Sequence, residues 1–137
     1  MRVLLDTNVV SAMLRNQEPP LLIERMAEIA QEDTFIAATT AREVLFGLRR
    51  RPGLELIEDG FERLVQRANV VLPFDLEAAR AYADTAALLF ARGEPIDLSD
   101  LEIASIALAR NLALITGNDR HFRRVPGLRV YNWLRED

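Results

Sequence analysis

Asp6, Glu43, Asp100 and the pair Asn118-Asp119 are the residues whose types and positions suggest chemistry. Asp6 directly follows a short apolar run, Val3-Leu4-Leu5. Asn118 and Asp119 follow another, Leu114-Ile115, after Thr116-Gly117. Glu43 and Asp100 fall in the first turns of two segments with helical spacing. If these positions meet at one edge of a sheet, the carboxylates repel and raise one another's pKa unless a cation neutralises them. One or two Mg²⁺ or Mn²⁺ ions are the natural counterpart, because hard divalent cations take oxygen ligands. A bound ion of that kind supplies a water nucleophile near neutral pH and stabilises charge growing on a phosphate.

Composition removes most other chemistry. Among 137 residues there is no cysteine and one histidine, His121, and all 17 basic residues are arginine. Thiolate metal sites, cysteine nucleophiles, multi-histidine zinc sites, Schiff bases and phosphate-binding lysines are therefore excluded. Asp and Glu together number 21, for a net charge of −4, which by itself disfavours a polyanionic partner. The arginines cluster, however, at Arg49, Arg50 and Arg51 and again at Arg120, Arg123 and Arg124. Half of the residues are hydrophobic, as in an ordinary globular domain. No apolar run is long enough for a membrane span, and residues 1–5 are too short for a signal peptide. The expectation is a cytoplasmic protein of one domain, residues 1–137.

The elements that must position these residues alternate in type. Strands are expected at residues 2–5, 34–38, 70–72, 113–116 and 128–131. Helices are expected up to Leu14 and over residues 21–30, 40–50, 54–67, 75–91 and 99–110. Pro19-Pro20, Pro52-Gly53, Pro73 and Pro126-Gly127 act as breaks. Such alternation predicts a mainly parallel sheet covered on both faces: an α/β fold, a three-layer α/β/α sandwich with roughly five strands. Ligand sites in open parallel sheets lie beyond the carboxyl ends of the strands, where these acidic residues stand.

Each position also has a structural reading. Thr40-Ala-Arg-Glu43 and Ser99-Asp-Leu-Glu102 both match the capping box, in which the glutamate bonds back to the helix start. Asp100 would complement a helix dipole. The arginine run 49–51 would close a helix as solvated cations. His121 reads as a surface or packing residue. Apolar stripes at Leu22, Ile23, Met26 and Ile29, and at Leu54, Ile57, Phe61 and Leu64, read first as core.

Taken in order, the motifs resemble the PIN-domain nucleases. Val3-Leu4-Leu5-Asp6-Thr7-Asn8 looks like that family's opening motif. Thr40-Ala-Arg-Glu43-Val44-Leu45 resembles the second, Asp100-Leu101-Glu102-Ile103-Ala104 the third, and Leu114-Ile115-Thr116-Gly117-Asn118-Asp119 the fourth. The tail from Val125 to Trp133 is similar to that of VapC-type toxins. The resemblance implies a PIN-like fold, Mg²⁺- or Mn²⁺-dependent endoribonuclease activity, homodimerisation and neutralisation by a cognate VapB-type antitoxin. It implies catalytic roles for Asp6, Glu43 and Asp100, with Asp6 and Asp100 as the main metal ligands. Glu43, Asn118 and Asp119 are further ligand candidates, and Thr116 and Asn8 support the site. The family's fourth acidic position aligns with Asn118, which brings no charge, so one well-held ion is expected, with a second that binds weakly or only when RNA phosphate is present. His121 falls where many relatives carry an aspartate. The apolar stripes lie where the family holds its antitoxin.

Two other readings remain open at this point. Strand-end-aspartate phosphatases share the Asp6-Thr7-Asn8 start, but they need a lysine that this chain lacks and an aspartate where Asn8 stands. A PIN-like module that binds RNA or protein without cutting is the alternative from a different class. The arginines at 49, 50, 51, 120, 123 and 124 are the candidate RNA contacts.

Overall fold

The structure, a computed structural model, describes residues 1–67 and 69–135; residues 136 and 137 of the expected domain lie outside it, as does residue 68. Five strands, β1 (Val3–Leu5), β2 (Thr34–Ala37), β3 (Val71–Leu72), β4 (Ala113–Ile115) and β5 (Val130–Tyr131), form one sheet. Their order is β3-β2-β1-β4-β5, and every pairing is parallel. Seven α-helices are found among the described residues: α1 (Thr7–Leu14), α2 (Pro20–Ala27), α3 (Ala38–Arg50), α4 (Glu55–Val65), α5 (Leu76–Ala91), α6 (Leu98–Arg110) and α7 (Asp119–Phe122).

The central strands are apolar at every position because both faces are covered. Their side chains alternate between two cores. Leu4, Phe35, Ala37 and Leu114 pack with Leu89 of α5 and Ile103, Ala104, Ile106 and Ala107 of α6. Val3, Leu5, Ile36, Ala113 and Ile115 pack on the other side with Val9 and Val10 of α1, Leu22 of α2 and Phe61 of α4. The result is the expected α/β/α sandwich. Full burial of a large aliphatic or aromatic side chain contributes about 1.5–3 kcal/mol relative to exposure. The strands are therefore held by their two faces more than by their short hydrogen-bonded ladders.

The chain order reverses across β1 and β4. β2 and β3 are added on one side of β1, and the chain then crosses to β4 and β5 on the other. A crevice opens at such a switch point, beyond the carboxyl ends of the two strands. Asp6 ends β1 and Thr116 ends β4, and the Asp6 N–H donates to the Ile115 carbonyl at 2.9 Å, pinning the two strand ends together.

Several boundaries differ from expectation. Helix α3 begins at Ala38, two residues early, and α6 at Leu98. The last strand shortens to Val130–Tyr131, and α2 ends at Ala27, before a 3-10 turn at Gln31–Asp33. The four-residue α7 is too short to carry an apolar period.

Candidate active site

Asp6 is 4% exposed and caps α1, its Oδ1 accepting from the Thr7 N–H at 2.8 Å. Its Oδ2 accepts from the Thr116 hydroxyl at 2.6 Å. The same Thr116 oxygen accepts from the Asn118 N–H at 2.9 Å, so one side chain links β1, β4 and the turn after β4. Asn8 secures that turn from the opposite side, its Oδ1 accepting from the Gly117 N–H at 3.1 Å. A Cβ on Gly117 would lie 2.7 Å from Leu134 Cδ1 and 3.2 Å from Asn8 Nδ2, so a larger residue here would have to displace the ends of both side chains.

Glu43 stands in the second turn of α3 rather than the first, because the helix starts early. Its Oε1 accepts from the Thr7 hydroxyl at 2.7 Å, and Thr7 Oγ1 lies 3.1 Å from Thr40 Oγ1. Neither expected capping box forms, since no side chain caps α3 or α6. Glu102 instead accepts from Thr39 at 2.9 Å and from Arg42 at 3.2 Å, while Arg42 also donates to Ser99 at 3.0 Å. The two glutamates join helices: Glu43 ties α3 to α1, and Glu102 ties α6 to α3. Thr7, Thr39 and Glu102 were not among the expected site residues. Their signal was present only as hydroxyls beside the motif acids and as a second glutamate two residues after Asp100.

Asp100 lies in the first turn of α6 with its side chain 22% exposed. Burial pushes its pKa up to about 6, and the charges of Asp6, Asp97 and Glu43 push the same way, against His121. Asp6 is raised by burial, partly offset by its bonds from Thr116 and Thr7, with Glu43 adding to the rise. Asp6 and Glu43 are thus close enough to Asp100, and Glu43 to Asp6, for their charges to oppose ionisation of the two aspartates. Beside Asp100, His121 Nδ1 stands 3.9 Å from Oδ2 and 2.9 Å from the Asn118 amide nitrogen.

Asp119 does not join this group. Its carboxylate is 2% exposed and engaged elsewhere, accepting from Asn132 at 3.1 Å and pairing with Arg123 at 2.9 Å and Arg135 at 3.1 Å. These partners hold its pKa below the usual carboxylate range. The reason is location: Asp119 opens α7 and points under the loop after β5, where the arginines approach.

Donor chemistry suits a hard cation, with buried carboxylates destabilised by mutual repulsion and by lost hydration. Among the described residues, no three His, Asp or Glu side chains already enclose an ion position. Two carboxylates, with water completing the shell, suffice for an ion that keeps several of its waters.

The acids make the stability of the metal-free protein depend on pH. Asp100 titrates near 6 when folded and near 3.8 when unfolded. Between those values the folded chain binds more protons, so stability falls as pH rises through the window. The gap is worth at most about 3 kcal/mol, and partial exposure brings it nearer about 1 kcal/mol. Urea unfolding in EDTA should therefore give a higher stability at pH 5 than at pH 7. Equal or greater stability at pH 7 would contradict the clustering of these carboxylates.

The candidate RNA-contact arginines divide into two sets. Arg49 pairs with Glu58 at 3.0 Å, and Arg50 stacks over Phe46 at 5.1 Å. Arg50 and Arg51 line a groove of about 240 Å³ that runs from Thr7 and Glu43 between α1, α3 and α4. Arg120 is exposed beside the fourth motif. Arg123 is committed to Asp119, and Arg124 donates to the Pro95 carbonyl at 3.4 Å. A larger cleft of about 710 Å³ opens between α1, α2 and α4, lined by Val10, Met13, Met26, Ile29, Leu56 and Leu64. Of the two apolar stripes, Leu22 and Phe61 are buried, while Ile23 is 55% exposed. Leu56, outside the stripe on α4, is 85% exposed.

The model of the PIN domain matches residues 3–128. Ribonuclease VapC1 of Haemophilus influenzae strain R2866 is 30% identical over 131 residues, 95% of this chain and 96% of that protein. The tRNA(fMet)-specific endonuclease VapC of Shigella flexneri is 30% identical over 133 residues, 97% of this chain and 98% of that protein. Among solved structures, VapBC-1 from nontypeable Haemophilus influenzae matches with a TM-score of 0.85 and 29% identity, covering 98% of this chain and 100% of that one. The phosphatase alternative, which required a lysine, finds no support in these matches. With its 3–128 match, its parallel sheet and its acids at the β1–β4 crevice, the chain belongs to the PIN-domain family, among the relatives of the VapC ribonucleases.

Proposed function

We propose that this protein is a Mg²⁺- or Mn²⁺-dependent endoribonuclease and the toxin of a VapBC-type pair. The observation that carries the reading is the gathering of Asp6, Glu43 and Asp100, from three separate elements, around one crevice. Asp6 and Asp100 would hold the ion, and Glu43, fixed by Thr7, would orient the attacking water. When bound, the ion supplies charge neutralisation at the scissile phosphate and a more acidic water. Thr116 and Asn8 keep Asp6 and the turn after β4 in register, and Asn118 offers a neutral oxygen at the fourth position. Asp119 is assigned to anchoring α7 rather than to the ion. RNA, whether tRNA, rRNA or mRNA, is the proposed substrate class. The groove bearing Arg50 and Arg51 would receive its phosphates, with Arg49 at the end of the same helix and Arg120, Arg123 and Arg124 at α7 as the second set of candidate contacts.

A VapB-type antitoxin is the proposed partner. Its apolar segment would fill the cleft between α1, α2 and α4, where exposed Leu56 already stands, and a basic side chain would reach the acids. A homodimer is the proposed assembly, with Phe90 (84% exposed) and Leu98 (68% exposed) among the apolar side chains open to a second copy. Among the described residues no helix is long and apolar enough to cross a membrane.

The test is cleavage of total RNA by the purified chain with Mn²⁺ or Mg²⁺, with EDTA, and with the product of the adjacent gene. Endonucleolytic cuts with metal, none in EDTA and suppression by the co-purifying partner are expected. Unchanged cleavage in excess EDTA overturns the metal-dependent mechanism. Failure of any small partner to co-purify or to suppress overturns the toxin assignment and leaves the nuclease.

A further inference from the structure

We propose that His121 is a ligand of the ion at the acidic crevice, contributing Nδ1 beside Asp100, and that it biases the site toward Mn²⁺ over Mg²⁺. The inference rests on the metal-dependent reading above and adds to it a nitrogen donor and a metal preference.

Geometry comes first. His121 Nδ1 is 3.9 Å from Asp100 Oδ2, too long for a hydrogen bond. Two donors on one octahedral ion with bonds of about 2.1 Å stand about 3.0 Å apart when adjacent and about 4.2 Å apart when opposite. The observed 3.9 Å lies nearer the second value. The approach brings together the start of α6 and the end of α7, consecutive helices joined through β4.

Protonation comes second. Asn118 Nδ2 lies 2.9 Å from Nδ1, and in the tautomer where Nδ1 accepts from that amide it is the nitrogen that carries the lone pair. That lone pair is what a cation needs, and the amide proton now holds its place. The neighbouring groups offer no second nitrogen donor. Asp119 is sequestered by Arg123, Arg135 and Asn132. Asn118 directs its amide at His121, and Glu43 is turned to Thr7. His121 itself keeps a side chain 48% exposed, with room to turn toward an ion.

Ligand type then sets the preference. Mg²⁺ takes oxygen almost exclusively and gains little from imidazole. First-row transition ions accept imidazole, and Mn²⁺ is the member of that series best suited to the surrounding carboxylates. A carboxylate at position 121 would add charge and oxygen and favour both ions alike.

The chain has one histidine, so a directly bound imidazole nitrogen has one possible source in tag-free protein. Pulsed EPR of the protein loaded with one equivalent of Mn²⁺ should show ¹⁴N coupling. His121→Ala and His121→Asp should both lose it. Calorimetric titrations should show the Mn²⁺-to-Mg²⁺ affinity ratio falling by about tenfold or more in His121→Asp. Circular dichroism confirms folding, and substitution at this exposed position leaves both cores intact. Bound Mn²⁺ without ¹⁴N coupling, or an unchanged affinity ratio in His121→Asp, overturns the role of His121 and leaves the metal site standing. No Mn²⁺ binding by the native protein, or binding unaffected by Asp100→Asn, overturns both.

Discussion

Replacing Asp6 by asparagine should reduce RNA cleavage by about 100-fold or more while leaving the melting temperature unchanged or a few degrees higher. The two effects have one cause. Asp6 is buried, and its charged form is held there at a cost, as its raised pKa records. Asparagine has the same shape and no charge. Its Oδ1 still accepts from the Thr7 N–H, and the Thr116 hydroxyl can reverse to accept from the new amide. Repulsion from Glu43 and Asp100 disappears. The metal-free fold thus loses a strained charge, whereas the ion loses a carboxylate that an amide oxygen replaces only weakly. Function held at the expense of stability is the expected pattern at such a site. Single-turnover cleavage and thermal melts on the same preparation provide the check. Full cleavage by a folded Asp6→Asn protein would remove Asp6 from the mechanism. Lost cleavage with a melting temperature lowered by many degrees would make Asp6 a structural cap first.

Much of the fold is legible in the chain because its strands are short, apolar and separated by helical periods. Val3-Leu4-Leu5 and Ala113-Leu114-Ile115 announce strands buried on both faces, and they form the centre of the sheet. The order β3-β2-β1-β4-β5 is a different kind of information. It depends on pairings between segments a hundred residues apart, which no local pattern encodes. The helix starts differ from the sequence pattern for a specific reason. Thr40 and Ser99 look like caps, but Thr39 and Thr40 are buried with hydroxyls committed to tertiary contacts. Ala37 caps α3 without a side-chain bond, and Ala carries no start signal.

The site divides along the same line. Asp6, Glu43 and Asp100 announce themselves because acids at strand and helix ends are a chemical pattern. What holds them is not announced. Thr7 reads as an ordinary first helical residue, yet its hydroxyl binds Glu43 across 36 positions of sequence. Glu102 reads as a capping-box partner, yet it bonds Thr39 and Arg42 of another helix. A carboxylate that accepts from its own helix and one that accepts from a neighbour have the same local sequence, and only the packed structure tells them apart.

Asp119→Ala should destabilise the protein by about 2 kcal/mol at neutral pH and leave the cleavage rate of the folded fraction nearly intact. Asp119 accepts from Asn132 and pairs with Arg123 and Arg135, all within 3.1 Å, in a place where its own exposure is 2%. Charge-assisted bonds to a buried carboxylate are the strong ones. The cost stays below the roughly 3–5 kcal/mol typical of a broken buried ion pair, because no charge is stranded. The arginine side chains are 61% and 46% exposed and rehydrate when the carboxylate is gone. Because its partners lower the folded pKa of Asp119 below the unfolded value near 3.8, its contribution is complete above that value. It is lost as pH falls through the folded pKa. The stability gap between native and Asp119→Ala protein should therefore close in strong acid, as urea unfolding from pH 7 down to pH 2.5 would reveal. A metal-ligand role predicts the reverse: cleavage lost and stability kept. Anchoring makes Asp119 the residue that fixes α7, and with it the orientation of Asn118 and His121 toward Asp100. A small loss of activity that is recovered by working well below the lowered melting temperature fits that indirect role, and a loss as large as that of Asp100→Ala does not.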